Sequence, residues 1–386
     1  MGDPKRESSW LHRTRPFPPW TDTVVRLSLT LLFLYLFLVG VKALEKGISA
    51  FGADFVDQVF SSVATPLAGL AAGVLATVLV QSSSVTTATI VALVGSGVLS
   101  VEAAVPMVMG ANIGTTVTNT LASLGHVRQN AYFKRAFAAA TMHDYFNILT
   151  VALLLPLEVA FGLISKIAAS LAQAFGSDLP DVSSSSPIKD AISAPVSLLQ
   201  DLIEALGWTA AEGPILLIVG ISLIFTALWM VTRQMKALMS GRIENAINNV
   251  LSKGAGVAAM AVGLLMTVAV QSSSITTSIL VPLVAAGVLT IRNAFPVTLG
   301  ANLGTTVTAL LASVAAATSD ALTIALAHVT FNVLGILIFY PVRRVREIPL
   351  YLADRTAEAA VKRKSIVAIY VIGLFIVTPI AILVLS

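Results

Sequence analysis

The run Gln81-Ser82-Ser83-Ser84-Val85-Thr86-Thr87 lies inside an apolar stretch and recurs as Gln271-Ser272-Ser273-Ser274-Ile275-Thr276-Thr277. Each copy puts an amide and several hydroxyls where a helix in lipid has no use for them. A helix interrupted there exposes amide N–H groups at one new end and carbonyls at the other. The N–H end attracts anions through its free donors and dipole. The carbonyl end suits a hard cation. Ser and Thr oxygens serve either ligand, and Gln supplies both a donor and an acceptor. The chemistry these residues support together is the holding of a small anion beside Na⁺.

Two further sets follow the same duplication. Gly110-Ala111-Asn112-Ile113-Gly114-Thr115-Thr116-Val117-Thr118 is repeated as Gly300-Ala301-Asn302-Leu303-Gly304-Thr305-Thr306-Val307-Thr308. Glycines four apart are the small-residue pattern of close helix packing. Asn112, Thr115 and Thr116, with Asn302, Thr305 and Thr306, lie near that face. They either reach the interrupted helices or bond between helices. His143, Asp144 and Asn147 are matched by His328 and Asn332, with His and Asn four apart on one helix face. Asp144 faces Val329 in the comparison of the copies. It is a candidate for a coupling charge or cation ligand in one repeat only; the alternative is a partly hydrated Asp near a helix start. The midplane segments carry no Lys or Arg. A bound anion there must be met by helix ends, hydroxyls and co-bound cations, because an isolated charge in low dielectric is prohibitively costly. Na⁺ is thus the expected coupling ion, held by the same hydroxyl, amide and backbone oxygens, with no other cofactor. An intramembrane hydrolase with Ser83 as nucleophile and His143 as base is the reading from another class. It needs one asymmetric pair, whereas Ser cluster and His are both duplicated, so no catalytic residue is assigned.

The elements that must position these groups belong in a bilayer. Of 386 residues 56% are hydrophobic and only 11% charged, against about 25% charged in globular proteins, and the mean hydropathy is +0.88. That excludes a soluble enzyme and a nucleic-acid binder; the net charge of +4 reflects basic loops between apolar runs. There is no cysteine, hence no disulfide or thiolate metal site. Apolar runs long enough to span lie near 24–44, 103–123, 136–156, 214–233, 293–315, 321–341 and 366–385. The stretches 62–100 and 254–290 are each broken by a polar cluster. They are expected as re-entrant hairpins, with broken full spans as the alternative. Residues 157–175 and 191–208 look like interfacial helices around a Ser/Pro/Asp-rich linker at 177–190. Basic residues in 1–23, 124–135, 234–253 and 342–365 place those segments in the cytoplasm, and the acidic 177–213 segment suits the outside. The N-terminus is then cytoplasmic and the C-terminus outside.

The second half copies the first. Gln271 repeats Gln81 and Gly300 repeats Gly110, both 190 positions on, and roughly 31 of 53 positions agree between 71–123 and 261–313. The expected architecture is all-α and integral to the membrane. Repeat 1 (24–156) and repeat 2 (214–341) each comprise a span, a hairpin and two spans; 157–213 joins them, 342–365 is a cytoplasmic loop, and 366–386 adds a transmembrane helix. Because the copies start on opposite sides they are inverted, as in secondary transporters whose site lies at the midplane where repeats meet. The alternative is a duplicated bundle with Ser and Thr as interhelical glue.

The doubled QSSS…TT and GANIGTT motifs and the His-x-x-x-Asn pairs resemble the type II sodium-dependent phosphate cotransporters, solute carrier family 34 and bacterial relatives. The likeness covers about 60–156 and 250–341. It implies secondary active, Na⁺-coupled import of inorganic phosphate by alternating access, with phosphate and Na⁺ between the QSSS tips: Gln81, Ser82, Ser83, Ser84, Thr86 and Thr87 with Gln271, Ser272, Ser273, Ser274, Thr276 and Thr277. Another small oxyanion on the same fold is the close alternative. The short linker, lacking cysteines and an N-x-S/T site, departs from animal members and points to a bacterial inner membrane. The expected partners are phosphate, Na⁺ and lipid; the sequence carries no signal for oligomeric state.

Overall fold

The computed structural model describes residues 19–51, 63, 65–176, 187–239 and 256–386. The basic N-terminal segment through 18, most of the linker expected at 177–190, and the loop carrying Arg242 and Lys253 lie outside the described residues. So do the first residues of both expected hairpins.

No strand occurs among the described residues. Six helices among them are long and apolar enough to cross a membrane: Thr21–Ser49, Asn130–Phe161, Thr209–Leu238, Ile291–Ala316, Ser319–Phe339 and Ser365–Leu385. The expected span at 103–123 is divided into α4 (Val101–Thr115) and α5 (Val117–Ser123). Its hydroxyls explain the division: Thr115 donates to the Ala111 carbonyl at 2.8 Å and Thr116 to the Ile113 carbonyl at 2.8 Å. Such back-bonding competes with the helical ladder. A matching one-residue interruption at Thr305 separates α12 (Ile291–Gly304) from α13 (Thr306–Ala316).

The remaining elements are α1 (Pro19–Ser49), α2 (Pro66–Val80), α3 (Ser83–Gly95), α6 (Asn130–Phe161), α7 (Leu163–Gly176), α8 (Pro187–Ala205), α9 (Glu212–Met239), α10 (Gly256–Val270), α11 (Ser273–Ala285), α14 (Ser319–Phe339) and α15 (Arg343–Lys362). The C-terminal helix runs as α16 (Ser365–Ile372), a π turn at Gly373–Val377, and α17 (Thr378–Leu385). The segment 342–365, expected as a loop, is thus largely helical. Leu350, Ala353, Ala357 and Ala360 form its buried stripe at helical spacing, and it lies along α6.

Packing follows the duplication. α1 packs along α9, α2 crosses α4, and α10 crosses α12. The crossings depend on glycine. A Cβ at Gly110 would meet the Leu70 carbonyl oxygen at 2.0 Å, and one at Gly300 the Met260 oxygen at 1.8 Å. Backbones this close gain van der Waals contact and leave no room for any side chain. Contacts between the halves also come in matched pairs: α3 with α13 and α5 with α11, α3 with α14 and α6 with α11, α7 with α14 and α6 with α15. The outer surface carries Leu31, Leu79, Leu265, Leu337 and Leu385, and Thr, Asn, His and Asp side chains are buried among the apolar residues of the interior. An apolar exterior with polar groups sheltered inside suits a hydrocarbon solvent.

Candidate functional site

The QSSS segments are breaks between short helices. α2 ends at Gln81 and α10 at Gln271, each left-handed with φ 56°. A non-glycine residue in that region costs roughly 1–2 kcal/mol, and here the Gln side chain offsets it. Gln81 Nε2 donates to the Val78 carbonyl at 2.6 Å and Gln271 Nε2 to the Val268 carbonyl at 2.6 Å, satisfying terminal helix acceptors. The next residue is extended, and a new helix starts at Ser83 or Ser273. Ser82 caps α3 by accepting from the Val85 amide at 3.3 Å, whereas Ser272 makes no side-chain cap bond.

The two breaks touch. Ser84 Oγ donates to the Gln271 backbone carbonyl at 3.2 Å. Thr308 Oγ1 lies 2.8 Å from Gln271 Oε1 and 3.4 Å from Ser84 Oγ. In the other copy Thr118 donates to Gln81 Oε1 at 3.3 Å. Thr277 sits against Asn119, whose Nδ2 donates to its hydroxyl at 2.8 Å, and Thr276 meets Thr267 at 2.9 Å. Ser83, Ser84, Thr86, Thr87, Gln271, Ser273, Thr276 and Thr277 are buried; Ser82, Ser272 and Ser274 are half-buried, and Gln81 is exposed. Ser273 Oγ, at the first turn of α11, is buried with no hydrogen-bond partner.

The Asn and His residues form a second cluster that crosses between the halves. His143 Nε2 lies 3.1 Å from Asn302 Oδ1, and His328 Nε2 lies 3.4 Å from Asn112 Oδ1. Asn147 donates to the Asn112 carbonyl at 2.8 Å; Asn302 Nδ2 reaches Asn147 Oδ1 at 2.9 Å and Asn332 Oδ1 at 2.7 Å. These contacts are the interhelical bonding that the sequence left open as one alternative. Thr115, Thr116, Thr305 and Thr306 bond to backbone carbonyls three or four residues back, at Ala111, Ile113, Asn302 and Leu303. Asp144 is fully buried, and its Oδ2 accepts from Thr120 at 3.2 Å and Tyr370 at 2.8 Å.

Apart from Asp144, the buried charged side chains lie away from both clusters. Lys42 is buried, but its ammonium bonds both Glu45 carboxylate oxygens at 2.9 and 2.8 Å near the end of α1. Glu158 accepts from the Ile164 and Ser165 amides and the Ser165 hydroxyl, capping α7. Arg292 is exposed and pairs with Glu347 of α15 at 2.8 Å. That neighbour holds the Glu347 carboxyl below its ordinary range. No group of three or more His, Cys, Asp or Glu side chains gathers for a metal among the described residues. A small alkali cation would draw on the hydroxyl, amide and carbonyl oxygens instead. The site residues sequence reasoning passed over are Asn119, Thr120 and Tyr370. Asn119 directly follows the quoted motif; Tyr370 had no signal beyond being a hydroxyl in an apolar run.

These features define a helical membrane protein with duplicated clusters of hydroxyl, amide and imidazole side chains in its interior. The Na⁺/Pi-cotransporter family model matches residues 36–175 and 223–353, and the chain belongs to that family. It is 34% identical to sodium-dependent phosphate transport protein 2A of Rattus norvegicus, over 92% of this chain and 67% of the rat protein. It is 33% identical to the 2A protein of Oryctolagus cuniculus over 97% of this chain and 69% of the rabbit one. Identity to the 2B protein of Homo sapiens is 33% over 94% of this chain and 65% of the human one. No solved structure matches the chain.

Proposed function

We propose that this chain is a secondary active transporter that moves inorganic phosphate into the cell together with Na⁺, binding both between the two QSSS breaks. The observation that carries the reading is the Ser84–Gln271 contact with Thr308 bridging it. It brings two interrupted helices together over buried hydroxyls, with no lysine or arginine among them. Such a place holds a multivalent anion only when cations enter with it. Family membership and the sodium-dependent phosphate transport proteins it resembles supply the substrate. The enzyme alternative lacks its machinery: the His143 nitrogen that is bonded meets Asn302, and Ser83 is not among its partners.

The QSSS elements act as re-entrant hairpins within inverted repeats, in a bacterial inner membrane with the N-terminus cytoplasmic and the C-terminus outside. The crossed His–Asn contacts support an exchange symmetry between the halves. The burial of Gln271 against the exposure of Gln81 supports alternating access, since equivalent positions differ as they do in one state of such a cycle. The test is phosphate uptake into proteoliposomes under an inward Na⁺ gradient. Uptake should collapse when choline replaces Na⁺, and excess sulfate should compete poorly. Equal uptake in choline would reject the coupling; stronger competition by sulfate than by phosphate would favour the other-oxyanion reading.

A further inference from the structure

We propose that Tyr370, on the C-terminal helix outside both sequence repeats, is a positioning residue. It holds one oxygen of the Asp144 carboxylate so that the other is presented to a coupling cation. The proposal rests on the reading of this chain as a Na⁺-coupled transporter.

Asp144 has no exposed surface. Two hydroxyls donate to Oδ2, that of Tyr370 at 2.8 Å and that of Thr120 at 3.2 Å. Oδ1 is equally buried and has no hydrogen-bond partner. The Thr116 hydroxyl, which donates to the Ile113 carbonyl at 2.8 Å, is the other polar group beside the carboxylate. Among the described residues no ion pair includes Asp144. Two neutral donors orient a carboxylate but do not balance its charge. A cation at Oδ1 completes the balance, and two fixed bonds on the opposite oxygen determine where that cation sits.

The tyrosine is built to stay in place. Its ring is walled by Phe137 at 5.9 Å, Tyr145 at 6.2 Å and Phe375 at 6.3 Å between centroids. Phe375 reaches it because the π turn at Gly373–Val377 swings residues five apart toward one face; π turns of this kind gather at functional sites. Beyond that turn α17 packs on α2, the helix ending in Gln81. The same helix therefore touches both the carboxylate and one arm of the substrate site. Asp144 has Val329 at the matching position, and the C-terminal helix has no counterpart in repeat 1. The carboxylate and its holder each occur once in an otherwise doubled interior.

Tyr370→Phe removes only the hydroxyl. The half-saturating Na⁺ concentration for uptake should rise about tenfold, as for loss of a hydrogen bond to a charged group. The phosphate half-saturation at saturating Na⁺ should stay within about twofold. Thr120→Val should shift Na⁺ the same way by less. In an Asp144→Asn background Tyr370→Phe should add nothing. The Na⁺-induced rise in Tm of detergent-solubilised protein gives the same comparison for variants that do not transport. Unchanged Na⁺ dependence in Tyr370→Phe, or a full additive effect on top of Asp144→Asn, would overturn the proposal. If Asp144→Asn leaves Na⁺ dependence intact while choline still abolishes wild-type uptake, the carboxylate role falls and sodium coupling stands. If choline supports wild-type uptake, the coupling itself falls.

Discussion

Ser84 Oγ donates to the backbone carbonyl of Gln271 at 3.2 Å, across 187 positions of sequence. A hydroxyl in the first turn of one interrupted helix thereby satisfies the terminal carbonyl of the other. The two QSSS breaks are joined directly, and a change in either is felt at both.

Because the chain contains no cysteine, that junction can be trapped cleanly. The Ser84 and Thr308 hydroxyl oxygens are 3.4 Å apart, so Ser84→Cys with Thr308→Cys brings two thiols within bridging distance. Oxidation should abolish uptake in the double variant and leave each single variant unchanged, and reduction should restore it. Persistent uptake after quantitative bridging would show that Ser84 and Thr308 need not separate during transport.

Gln271 combines a left-handed backbone with a side chain that closes its own helix. Gln271→Gly keeps the backbone at lower conformational cost while deleting the amide that bonds Val268 and Thr308. Thermal stability should change by no more than about 1 kcal/mol, while phosphate uptake falls at least about tenfold. Wild-type kinetics in this variant would reduce Gln271 to a turn residue.

The glycine crossings carry the opposite signature. Gly110→Ala and Gly300→Ala each drive a methyl against a backbone carbonyl, and overpacking of this kind costs about 1–3 kcal/mol. A loss of Tm that excess Na⁺ and phosphate do not repair is expected, measured on the purified variants. Unaltered Tm would mean that α2 and α4, or α10 and α12, do not approach as closely as described.

The presence of the breaks was legible in sequence because four polar residues in succession cannot be continued comfortably through lipid. The left-handed Gln was not, since glycine is the usual residue there and only the fold reveals that the amide substitutes. Likewise, the spacing of His143 and Asn147 told which helix face they share, but not that His143 meets Asn302 of the other half rather than Asn112 of its own. That pairing depends on how the halves are apposed, and local pattern is silent on it. Residues 343–362 read as a loop in sequence because their charges mask the stripe from Leu350 to Ala360. The composition pointed to lipid as solvent without difficulty, because an apolar exterior is a property of amounts, not of contacts.

The Arg292–Glu347 pair should matter little and in one direction. Arg292 lowers the Glu347 carboxyl, so its contribution is present above the ordinary Glu value of about 4.3 and is lost as pH falls through the lower folded value. Being exposed, the pair is worth about 0.2–1 kcal/mol. Glu347→Gln should therefore lower Tm slightly at pH 7 and converge with the wild type at strongly acid pH. A stability difference that grows on acidification would contradict the assignment.

The central claim is tested most directly by equilibrium binding of radiolabelled phosphate to the purified protein, with Na⁺ or choline, in the wild type and in Ser83→Ala and Ser273→Ala. Saturable binding is expected in Na⁺, none in choline, and a marked loss in either single variant, because both breaks contribute to one place. Undiminished binding in choline, or in both serine variants, would contradict it.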